Sequence, residues 1–134
     1  MKHYVIIILF LFSASCFSQD KNKDKVKETN NSEMTFKKTF HNFKTVWYKA
    51  DATYEFVFKN TGKSPLIINR VQSSCGCTVP KWGKEPVLPK AKGVIWVEYD
   101  SDKIGQFQKT VKIYSNAVNS PVTLLIIGAV KVTD

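Results

Sequence analysis

The stretch Thr53-Tyr54-Glu55-Phe56-Val57-Phe58-Lys59 limits what this chain can become more than any other. Strand side chains alternate with a period of two, so Tyr54, Phe56 and Phe58 share one face and Glu55 and Lys59 the other. That pattern belongs to a strand half in a core and half in water. Asn60-Thr61-Gly62 follows as a turn, its glycine free to take positive φ. Comparable runs are Met34 to Phe43, with Phe36 and Phe40 spaced for one face, Pro65 to Val71, Val94 to Tyr99, Phe107 to Ser115 and Val122 to Val130. Asp100 to Gly105 and Asn116 to Pro121 read as turns. Pro80 to Gly93 reads as a long irregular connection, because its prolines remove ladder donors and its glycines weaken strands.

No stretch carries a helical period. Short strands separated by turns over roughly 100 residues predict an all-β fold, an immunoglobulin-like antiparallel β-sandwich of about seven strands. Cys75 and Cys77 are too close in sequence to join two sheets, so packing alone must hold the core. Its expected members are Phe56, Phe58, Ile68, Val97, Tyr99, Val111, Ile113, Leu124 and Ile126. With 134 residues, 43% of them hydrophobic, the chain has the length and composition of a single globular domain.

The first residues read as an export signal. Lys2 and His3 are a short positive region, Tyr4 to Phe12 an unbroken apolar run, and Ser13 to Ser18 a small-residue cleavage region. The apolar run is shorter than the roughly 17–25 residues that span a bilayer. Cleavage after Ser18 would leave Gln19 first. Alternatively, Ser13-Ala14-Ser15-Cys16 is a relaxed lipobox in which Cys16 carries lipid; Ser13 in place of the usual leucine favours the soluble product. Both routes lead to the periplasm or beyond, where disulfides persist, and membrane attachment is expected only with lipid on Cys16.

Residues 19–33 hold a single apolar residue, Val26, and cannot bury enough surface to offset chain entropy, so they read as a disordered linker. The domain then occupies residues 34–134. Its fifteen Lys and Arg exceed its seven Asp and Glu. Outside the cytoplasm the counterpart to such charge is an anionic envelope polymer; nucleic acid is not an expected partner. The lysines are scattered rather than clustered, as on solvated strand edges.

The ordered pattern F-x-F-K-N-T-G-x-x-P-L-I-I, then V-x-S-S-C-G-C-T-V-P, then G-x-F-x-K-T-V-x-I and S-N closely resembles a bacterial envelope family, the domain-of-unknown-function family 1573 of Bacteroidetes-like genomes. Matching residues include Phe56, Phe58, Asn60 to Gly62, Pro65, Leu66, Ser74 to Thr78, Pro80, Trp82, Gly105, Phe107, Lys109, Ser115, Asn116 and Gly128. The resemblance implies an immunoglobulin-like sandwich akin to Hydin-type and major-sperm-protein domains, whose relatives are mainly protein-binding or assembly modules. One departure is Phe43-Lys44, where the family usually carries an F-G turn.

Cys75 and Cys77 are the chemically distinctive pair. On an extended backbone both would point to one face. A disulfide between them closes so short a loop that the chain-entropy relation gives only about 1.6 kcal/mol. Their Cα separation also approaches the upper limit for a disulfide unless Gly76 bends the chain. Three roles are open: small buried residues shaping a strand end, as thiols or as their disulfide, a thiol–disulfide pair favoured by Lys81 and Lys84 nearby, or a soft site for Cu(I). Structural zinc wants four ligands, and His41 is the one histidine of the expected mature chain.

His41, alone in a strand-like run, reads as a surface or edge residue, and Asp100-Ser101-Asp102 as a turn. No hydrolase, metalloprotease, phosphate-loop or dinucleotide motif occurs. The expectation is therefore a non-enzymatic module without a cofactor, thiol redox being the enzymatic alternative. If Leu124 and Ile126 point inward, Leu125 and Ile127 point outward, with Tyr114 beside them, where solvated sheets are polar. Val94 and Trp96 would likewise face out from the other sheet. These residues make a candidate surface for another envelope protein or a second copy, unless Trp47 and Tyr48 cover it.

Overall fold

The computed structural model describes residues 29–133. The expected signal peptide 1–18, with Cys16, and linker residues 19–28 lie outside the described residues. Eight strands form: β1 (Met34–Phe36), β2 (Phe40–Trp47), β3 (Thr53–Asn60), β4 (Ile68–Ser73), β5 (Thr78–Trp82), β6 (Lys92–Tyr99), β7 (Gly105–Ser115) and β8 (Val122–Lys131). They build two four-stranded sheets, β1-β3-β6-β5 and β2-β8-β7-β4. The sandwich expected from the alternating runs is therefore the fold.

Alternation places the core. Phe56 and Phe58 of β3, Ile95, Val97 and Tyr99 of β6, Phe107, Val111 and Ile113 of β7, and Leu124 and Ile126 of β8 are all buried between the sheets. Ile68 is partly buried against them. Tyr99 stacks on Phe107 at 3.7 Å, so an aromatic pair joins the two layers directly. Each such side chain contributes about 1.5–3 kcal/mol on leaving water.

Three local expectations change. Met34 to Phe43 is not one strand: the chain crosses between sheets after Phe36, and β1 and β2 lie in opposite layers. Phe36 packs on Phe58 at 5.4 Å, while Phe40 is 46% exposed, because the crossing resets the alternation. Second, β2 pairs with β8 in parallel, so the sandwich is not wholly antiparallel. The chain between these two strands is long enough for a parallel pair, which no tight hairpin can provide. Third, Thr78 to Trp82 is a strand despite Pro80. It is an edge strand paired only with β6, and an edge is where a sheet tolerates a missing N–H.

The domain also starts earlier than residue 34. Ser32 is fully buried, and the Asn31 carbonyl accepts from the Lys63 N–H at 2.6 Å. Composition shows only that these residues are polar; their hydrogen bonds to the β3–β4 turn are what seat them. Gly62 allows this approach, since a Cβ there would stand 2.0 Å from the Asn31 carbonyl oxygen.

Asn60, with no exposed surface, ties this corner together. Its amide nitrogen donates to the Ser64 and Val87 carbonyls at 2.8 and 2.9 Å. Its oxygen accepts from the Gly62 and Glu33 N–H groups at 3.0 and 3.4 Å. One side chain thus joins the chain before β1, the β3–β4 turn and the β5–β6 connection. Replacing Asn60 with Ala leaves buried partners unpaired and should lower the unfolding free energy by about 2–4 kcal/mol, read from urea titration. Lys44, where the F-G turn was expected, keeps the left-handed conformation with φ 59° at a bulge between β2 and β8. A glycine there avoids the Cβ clash, so Lys44→Gly should raise the same free energy by about 0.5–1 kcal/mol.

Candidate functional site

Residues 74–77 join β4 to β5, the edge strands of opposite sheets, so the cysteine turn crosses the rim of the sandwich. The backbone bends there rather than running extended. Cys75 and Cys77 are joined as a disulfide with their Cα atoms 5.3 Å apart, inside the usual range. Both are half-buried, and Cys77 packs against the core. A Cβ on Gly76 would have nothing within 4 Å, so that corner is open.

Hydrogen bonds that do not involve sulfur hold the turn. The Ser74 N–H donates to the Thr110 carbonyl at 2.9 Å, and the Thr110 N–H returns one to Ser74 Oγ at 3.1 Å. Ser73 Oγ donates to the Cys75 carbonyl at 2.7 Å, and the Asp100 N–H donates to the Cys77 carbonyl at 2.8 Å. Toward the sulfur, the Cys77 N–H donates to Cys75 Sγ at 3.3 Å, and Thr78 Oγ1 lies 3.9 Å from it. The lysines expected to favour a thiolate are engaged elsewhere. Lys81 pairs with Glu98 at 3.7 Å, and Lys84 sits 3.3 Å from the centre of the Trp82 ring. The donors that sequence reasoning missed, a backbone N–H and Thr78, lie within the motif itself.

No group of three or more potential metal ligands occurs among the described residues. His41 lies on β2, at the edge of its sheet opposite β4, and its ring stacks on Tyr54 at 3.6 Å with Phe43 edge-on at 4.5 Å. The Asp100 carboxylate accepts from the Asp102 N–H and pairs with Lys103, as in an ordinary turn.

The outward residues fall on two faces. Leu125 and Ile127 are half-buried on the outside of β8. Leu125 is flanked by Phe40 and Thr110, and Ile127 by Asn42 and Gln108. Beside Ile127 a shallow groove of about 490 Å³ runs past Lys44, Gln106 and Ala129. Trp47 and Tyr48 do not hide this face; they are themselves exposed at one end of β2. Tyr114 shares the face but lies four residues along β7 from Thr110, under the Arg70 guanidinium at 4.2 Å. Phe40, expected to share a face with Phe36, is the apolar residue that alternation alone could not place. On the other sheet Trp96 is 38% exposed, donates to Glu55 at 3.0 Å, and has the half-buried Val94 on the same face.

These features define an immunoglobulin-like β-sandwich with a disulfide-closed turn on one rim and an apolar strip on one outer face. The chain belongs to the family described as protein of unknown function (DUF1573), which matches residues 34–130. No curated protein matches it. Among solved structures it resembles a protein of unknown function from Porphyromonas gingivalis W83, with TM-score 0.65 and 10% identity over 73% of this chain and 46% of that one. It thus spans less than half of that relative. It also resembles the ASH/PapD-like domain 7 of human CEP192, with TM-score 0.66 and 5% identity over 78% and 89% of the two chains. A third likeness is the VesB protease of Vibrio cholerae, with TM-score 0.58 and 14% identity over 77% and 33%. At these identities the likeness is one of fold.

Burial of His41 among the rings, and then the charge of Lys38, hold its pKa below the ordinary histidine value of 6.5. The folded protein therefore binds fewer protons than the unfolded chain just below that value. Its stability is full above 6.5 and declines as pH falls through the folded pKa. The urea midpoint should drop between about pH 7.5 and 5.5, and His41→Phe should flatten that dependence.

Proposed function

We propose that this protein is an exported binding or assembly module of the cell envelope, docking a protein partner through the outer face of β8 and β2. The observation that carries this reading is the strip of Phe40, Leu125 and Ile127 on a face that a freely solvated sheet keeps polar. Such strips rimmed by polar groups, here Asn42, Gln108 and Thr110, mark interaction sites. The apolar run and small-residue region near the N-terminus support export.

A second copy of the chain is the partner to test first. In sedimentation velocity at micromolar concentration, the mature protein should associate with concentration, and Leu125→Glu with Ile127→Glu should abolish the association. If it stays monomeric, a photo-reactive residue at position 40 in cells should give one discrete protein adduct that the double variant loses. A monomer without that adduct would overturn the reading.

A further inference from the structure

We infer that Cys75 and Cys77 are a redox-active pair that takes electrons from a dithiol of another exported chain, Cys75 carrying the mixed disulfide and Cys77 being the thiol that leaves. The outer face of β8 takes no part, so this activity is independent of docking there; it shares only the premise of export.

The first support is that the bond is not needed as a staple. It closes a three-residue loop, which constrains the unfolded chain little. The turn is already held by Ser73, Ser74, Thr110 and Asp100 through bonds that leave sulfur out. Reduction therefore leaves the rim in place, a condition for repeated exchange.

The second support is the unlike surroundings of the two sulfurs. Cys75 Sγ receives the Cys77 N–H at 3.3 Å and has the Thr78 hydroxyl at 3.9 Å. Donors of this kind favour the thiolate, the form that attacks and departs in exchange. Cys77 packs on the core, where a thiolate is disfavoured and a neutral thiol is at ease. A half-buried, donor-supported sulfur beside one that packs on the core is the division of labour between the cysteine that carries the mixed disulfide and the one that leaves.

The third support is access. Gly76 leaves the corner open, and Val79 beside it is 48% exposed, a landing point for an apolar side chain of the incoming segment.

The step balances as follows. A thiolate of the dithiol attacks Cys75 Sγ, the Cys75–Cys77 bond breaks, and Cys77 leaves with the electron pair and takes a proton. The second thiolate of the dithiol attacks its own sulfur in the mixed disulfide, and Cys75 departs as thiolate. Two electrons pass to the protein, and the dithiol becomes a disulfide.

The test uses the full mature protein and dithiothreitol as the dithiol. Under native conditions both cysteines should become alkylatable, each adding one label by intact mass, with the thermal midpoint unchanged within a few degrees. Cys77→Ser should react with iodoacetamide at least about tenfold faster than Cys75→Ser at neutral pH, with a midpoint below the free-thiol value of about 8.5. Mixed with a peptide disulfide, Cys77→Ser should also accumulate the mixed disulfide and release one peptide thiol, and Cys75→Ser should not. A pair that resists reduction until the protein unfolds, or two single variants of equal reactivity, would overturn the inference. Should a single variant fail to fold, native-state labelling of the reduced wild type, Cys75 before Cys77 by peptide mapping, decides the same point.

Discussion

Contact between two inner faces, that of β3 and β6 against that of β7 and β8, is the condition for everything else in the molecule. Phe56, Phe58, Ile95 and Val97 on one side meet Val111, Ile113, Leu124 and Ile126 on the other, all withdrawn from water. The stack of Tyr99 on Phe107 fixes the layers at one place in particular. Because these eight residues come from the central strands of each sheet, the edge strands are free to carry irregular features. The bulge at Lys44, the proline of β5 and the cysteine turn all lie on edges. Asn60 shows the same economy with a polar group: buried without exposure, it is tolerated because each of its atoms has a partner.

The fold was legible wherever a strand was both central and strictly alternating. β3, β6, β7 and β8 lie within a residue or two of their expected positions, since period-two burial is a local property that the sequence records directly. What failed was phase and direction at the edges. Phe36 and Phe40 are four residues apart and would share a face on a continuous strand, but the crossing between sheets separates them. The parallel partnership of β2 and β8 leaves no local trace, because it depends on where the last strand arrives. Pro80 argued against a strand by a rule that applies to central strands, and β5 is an edge.

The site was half legible. That Cys75 and Cys77 meet follows from their spacing once Gly76 bends the chain. Which groups face their sulfurs did not, because the nearby lysines drew attention by charge while the close donors are the neighbouring N–H and Thr78. The outward strip on β8 was legible from Leu125 and Ile127 following the alternation of Leu124 and Ile126. Its third member, Phe40, required knowing that β2 lies alongside β8. A residue's own strand tells which face it takes, whereas its neighbours on that face are known only from the topology.

The parallel edge has a consequence for how the molecule is made. β2 hydrogen-bonds to no strand but β8, and β8 is the final strand of the domain. During synthesis, the eight residues of β2 must wait unpaired until β8 emerges. Completion of this sheet thus requires the whole domain, and a product cut short ahead of β8 carries an unsatisfied strand that quality-control proteases can seize.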